Sequence, residues 1–95
     1  MDADDLPAFF EKHDDEFLKF DRVENKLSQR PDLHAFLLLD KLVPGVRDMV
    51  SGTEHDEIHL SVEPSELVEV ATEEQLIDLH RCGVRCGEYG LCMFA

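Results

Sequence analysis

The side chains best suited to chemistry crowd the C-terminal end, where His80, Cys82, Cys86 and Cys92 offer four potential zinc ligands within residues 80–92. Their spacing suits a metal poorly. Zinc ribbons and fingers use C-x(2–4)-C knuckles whose turns aim two sulfurs at one point, and only the gap from Cys82 to Cys86 comes close. Cys86 and Cys92 fall in segments that read as strands, where a free cysteine commonly serves as a small buried hydrophobe. Zinc on His80, Cys82, Cys86 and Cys92 is therefore the lesser alternative, and no metal or other cofactor is expected. His55 and His59 are four apart, a spacing that serves a metal on a helix, but the residues around them alternate with the period of a strand. On a strand, residues four apart are separated by roughly 13 Å. His13 lies on the apolar stripe of the first segment and reads as a half-buried histidine.

Catalytic patterns are no better supported. Pro31-Asp32 begins the P-D…(D/E)-x-K arrangement in which carboxylates hold a divalent ion and a lysine helps activate water, yet Glu24-Asn25-Lys26 precedes it in the chain. There is no G-x-S-x-G elbow, no glycine-rich phosphate loop and no C-x-x-C pair. Cys82 is two residues from His80, and side chains two apart on a helix face different directions. A thiol near a helix C-terminus also meets the end of the dipole that disfavours a thiolate. The expectation is a protein that binds without catalysing.

These residues sit in a chain of 95 with a formal net charge of −13, from 22 Asp and Glu against 9 Lys and Arg. Residues 1–95 have room for one domain with one core. An apolar fraction of 43% beside 33% charged residues describes a folded core under an ionised surface. The start has no basic leader ahead of an apolar run, and the longest apolar stretch, Ala35 to Leu39, is far short of the roughly 20 residues that span a bilayer. A cytoplasmic protein with three reduced cysteines and no membrane contact is expected. Such a charge repels phosphate, so direct binding to DNA or RNA is not expected.

The elements that must position these groups follow from periodicity. Asp5 to Phe20 places Leu6, Phe9, Phe10, His13, Phe17 and Phe20 at helical spacings, and Pro31 opens a second helix that Pro44 and Gly45 stop. That helix is apolar around most of its circumference, as a central core element or one partly covered by a partner would be. Val46 to Thr53 has no clear period and reads as a short helical turn, with a break at Ser51-Gly52. Glu57 to Val62 alternates like a half-buried strand. Ser65 to Val70 reads as a short helix, and the T-x-x-Q box of Thr72 and Gln75 opens another that closes at Gly83. Val84 to Cys86 and Leu91 to Phe94 read as strands around a Gly-Glu-Tyr-Gly turn. The sum is an α+β domain with a three-stranded, largely antiparallel sheet packed on three to four helices.

Between Ser51 and His80 there are nine carboxylates and no Lys or Arg. Glu66, Glu69, Glu73, Glu74 and Asp78 fall three to five residues apart on the helical segments, with steps of roughly 5–6 Å, comparable to the spacing of charges along a nucleic-acid strand. Glu54, Asp56, Glu57 and Glu63 extend the set from the strand region. A solvated face that only keeps the protein in solution is one reading; the sharper one is a surface for a basic partner.

The stretches RPDLHAFLLLDKLVPG, ATEEQLIDLHRCGVR and LCMFA resemble a group of small acidic proteins carried by phages and prophages. The resemblance implies a mobile-element origin, and with it the cytoplasm of a host cell; it brings no activity and no site. Together with the charge it suggests an inhibitor that imitates nucleic acid and occupies a basic groove of a nucleic-acid-binding protein, for example in an anti-phage defence such as CRISPR. The alternative is a structural or adaptor protein that homodimerises through its apolar second helix or its C-terminal edge strand, or holds a target on its Phe-rich first segment.

Overall fold

A computed structural model describes residues 1–94 of the chain. It is an α+β fold with four α-helices and one four-stranded antiparallel sheet. After a 3-10 turn at Ala3–Asp5 come α1 (Leu6–Lys12), two further 3-10 turns (Asp14–Glu16, Phe20–Arg22) and α2 (Pro31–Leu42). The hairpin β1 (Val50–Glu54) and β2 (Glu57–Leu60) follows, then α3 (Pro64–Val70), α4 (Glu73–Arg81) and a second hairpin, β3 (Arg85–Gly87) with β4 (Gly90–Phe94). The strand order is β1-β2-β4-β3.

Three sequence expectations are corrected. The sheet has a fourth strand, β1, within the stretch expected to be helical or broken. Val-Ser-Gly-Thr-Glu carries no alternation because this edge strand is largely solvent-exposed on both faces, and burial is what writes a period into a sequence. The first helix ends at Lys12 instead of continuing to Phe20. Asp14, Asp15 and Glu16 would have lain at its negative C-terminal end, and Leu18 takes a positive φ of 63° that no helix admits. The C-terminal strand is no edge: β4 pairs with β2 on one side and β3 on the other, leaving β1 and β3 as the edges.

Sequence logic accounts for most of the rest. Pro31 and Pro64 open α2 and α3 at the first helical position, where a missing N–H costs nothing. Thr72 caps α4 as expected: its hydroxyl accepts from Gln75 N at 3.1 Å while the Gln75 side chain accepts from Thr72 N at 2.8 Å. At the other end Val84 N donates to Leu79 O and Gly83 N to His80 O, each at 3.0 Å, with Gly83 at φ +102°. This is the Schellman closure that glycine makes without strain.

The core lies between the helices and one face of the sheet. Leu6, Leu39, Leu67, Leu76, Leu79, Val84 and Leu91 are essentially inaccessible. Paired positions share a face, so Ile58 and Met93, partners across β2 and β4, both turn to the helices. On the opposite face Glu57 partners Phe94 and His59 partners Cys92. Phe9 and Phe10 belong to this core and are not exposed anchors on the first segment, although Phe10 also borders a cleft beside the core.

Candidate functional site: an acidic face and an aromatic cleft

The cation-free stretch folds into the β1–β2 hairpin tip, α3 and α4, and its nine carboxylates divide into two groups. Glu54, Asp56, Glu63, Glu66, Glu69 and Glu73 are exposed, and among the described residues none lies in ion-pair range of a Lys or Arg. Among the described residues the basic side chains within 4 Å of Glu54 are histidines, His55 at 3.9 Å and His59 at 4.0 Å. Glu57, Glu74 and Asp78 are engaged by arginines lying C-terminal to the stretch. Arg85 donates to Glu57 at 2.7 Å, and Arg81 reaches Asp78 at 2.9 Å and Glu74 at 3.3 Å. Burial raises the Asp78 carboxyl above its ordinary range, an effect that the Arg81 bond only partly offsets.

Arg81 is the hub of this region. Its side chain is 13% exposed and it also donates to Glu16 Oε2 at 2.6 Å, a residue further joined to Arg22. Hydrogen bonds from Arg81 and Arg22 hold the Glu16 carboxyl below its ordinary value. The 3-10 segment after α1 is thereby fastened to the last turn of α4.

His80, Cys82, Cys86 and Cys92 do not form a ligand set. Among the described residues no three His, Cys, Asp or Glu side chains come together as a metal would require. Cys82 and Cys92 are buried, and His80 gives its Nδ1 to Val84 O at 2.8 Å. The thiols are also poor nucleophiles: burial pushes Cys82 up to about 12 and Cys86 up to about 11, and raises Cys92. Lys26, from the E-x-K pattern, donates to Val23 O at 2.7 Å and lies over the Phe20 ring. No described helix is long and apolar enough to cross a membrane.

A second feature has no counterpart in the sequence reading. An open cleft of about 440 Å³ runs between the α1–Phe17 segment and the β3–β4 hairpin. Its lining includes the rings of Phe10, Phe17 and Phe94, the Glu57–Arg85 pair, the acids Glu11 and Asp14, and the buried His80. The His80 ring stacks on Phe10 with centroids 4.6 Å apart and tilts against Phe17 at 5.0 Å. Arg85 covers the Phe94 ring at 4.3 Å. These residues span most of the chain, so no local motif announces them; the only sequence signal was an unusual number of phenylalanines near the N-terminus.

Compared with family models, curated proteins and solved structures, this chain matches none of them.

Proposed function

We propose that this chain is a non-enzymatic binding module whose exposed carboxylates occupy a basic, phosphate-binding groove of a nucleic-acid-binding protein, inhibiting it by imitation of a strand. The observation that carries this is the set Glu54, Asp56, Glu63, Glu66, Glu69 and Glu73, six exposed acids with no Lys or Arg pairing them among the described residues. Glu57, Glu74 and Asp78 add less, because an acid already joined to an arginine presents a reduced field. Exposed like charges contribute little to folding and favour fast, salt-sensitive association with an oppositely charged groove. The elevated thiol pKa values support a role without nucleophilic chemistry. The phage and prophage resemblance makes a host defence protein such as a CRISPR effector the target to try first.

The test is capture from bacterial lysate on the immobilised protein, followed by elution with duplex DNA. A nucleic-acid-binding protein released by DNA is the expected result; a captured partner indifferent to DNA contradicts imitation.

A second reading is a homodimer through α2, favoured by Leu33 and Leu37, one turn apart and 42% and 41% exposed. Light scattering at micromolar concentration decides it: a dimer that Leu37→Asp dissociates supports this reading, and a monomer removes it.

A further inference from the structure

We propose that the aromatic cleft is a receptor for a single N–H-rich cation carried on an apolar stem, an arginine side chain presented by a basic partner. It is separate from the acidic face, with which it shares only Glu57.

His80 brings an unsatisfied acceptor to the cleft. His80 is 4% exposed and lines the cleft, and its Nδ1 faces Val84 O at 2.8 Å. A carbonyl can only accept, so in the neutral ring Nδ1 carries the proton and Nε2 carries a lone pair. Among the described residues that Nε2 is buried and finds no hydrogen-bond partner. Buried polar atoms in native folds are ordinarily paired, and an acceptor left open on a residue that lines a cleft calls for an N–H or O–H donor. Phe17, whose ring stands 5.0 Å from the His80 ring, lines the same cleft from between two 3-10 turns, and a ligand reaches the buried Nε2 only if a neighbouring ring gives way.

Charge selects among donors. Glu11 and Asp14 are exposed and take part in no ion pair among the described residues, while the one cationic lining residue, Arg85, is bound through its terminal nitrogen to Glu57 at 2.7 Å and lies over the face of Phe94, leaving only its buried Nε without a partner among the described residues. An anion would meet these acids unshielded. A purely apolar group would pack on the rings and leave His80 Nε2 as it is. A guanidinium satisfies both conditions: it donates to Nε2, faces the carboxylates of Glu11 and Asp14, and stacks on phenylalanine as an ammonium does less well. Its methylene stem then lies along Phe10 and Phe17. The volume of about 440 Å³ accommodates one such side chain with its flanking backbone.

The experiment is an NMR titration of the labelled full chain with N-acetyl-arginine amide, with the citrulline analogue, which is uncharged and nearly isosteric, and with a simple diamine run in parallel. The expected result is saturable shifts of the His80, Phe17 and Phe94 ring signals with arginine, at least ten times weaker binding of citrulline and of the diamine, and a further loss of threefold or more in Asp14→Asn/Glu11→Gln. Replacement of Glu63, Glu66, Glu69 and Glu73 by Gln should leave these shifts unchanged, so failure of the acidic-face proposal leaves this one intact. Equal binding of citrulline, preference for the diamine, or shifts confined to α3 and α4 would overturn it.

Discussion

Arg81 and Glu16, 65 positions apart, are joined by a 2.6 Å hydrogen bond that ties the irregular segment after α1 to the end of α4. The same guanidinium holds Asp78 and Glu74, so one cation both fastens the N-terminal segment and removes two acids from the exposed face. Arg81→Ala leaves Glu16 and Asp78 without their shared donor in a poorly hydrated setting. It is expected to lower unfolding free energy by about 2 kcal/mol, in line with hydrogen bonds to charged groups. Urea unfolding measures this, and a change near zero would show the hub to be incidental.

The pH dependence of this hub has a definite sign. Glu16 has its pKa lowered from 4.5 by Arg81 and Arg22, so its contribution is fully present above 4.5 and is lost as pH falls through the lower folded value. Asp78, raised by burial, acts oppositely: its protonation favours the folded state as pH falls. The urea midpoint of Glu16→Gln should therefore lie below that of the native chain by a constant gap between pH 8 and 5. That gap should close below pH 4.5. A gap that persists unchanged to pH 3 would mean Glu16 acts through packing and not through charge.

Gly83 closes α4 at φ +102°, and a Cβ there would come within 3.0 Å of Leu18 Cδ2. Gly83→Ala combines left-handed strain with that contact and is expected to cost about 1–2 kcal/mol. Thr72→Ala, at the other end of the same helix, loses the cap for about 1 kcal/mol. Thermal unfolding of the two variants and their double mutant should give nearly additive losses, since the sites share no partner.

Burial of the thiols makes reactivity a probe of opening. With Cys82 at about 12 and Cys86 at about 11, a thiol reagent at pH 8 should label the folded chain slowly and all three cysteines quickly in denaturant. Fast labelling of native Cys82 would contradict its burial.

What the sequence made legible was local. The Thr72–Gln75 box, Pro31 at a helix start, the Gly83 closure and the alternation of Ile58 and Leu60 are each settled by neighbours a few residues away. β1 leaves no trace in the sequence because an edge strand open on both faces has no period, and the end of α1 is masked because its apolar spacing continues past the acids that end it. The candidate site was half legible. The run without cations could be counted, but Arg81 and Arg85 lie just beyond it, and only folding turns them back onto Asp78, Glu74 and Glu57. The cleft could not be seen at all, since Phe10, His80 and Phe94 meet only in three dimensions.

In the proposed function, recognition is carried by the exposed acids that no Lys or Arg pairs among the described residues. Its most direct test is the affinity of the captured partner for the native chain and for Glu63→Gln/Glu66→Gln/Glu69→Gln/Glu73→Gln, each followed across a salt series. Neutralising these four is predicted to weaken binding at least tenfold at low salt and to flatten the salt dependence, with unfolding midpoints unchanged or raised. Equal affinity and equal salt slope for the two proteins would contradict the account.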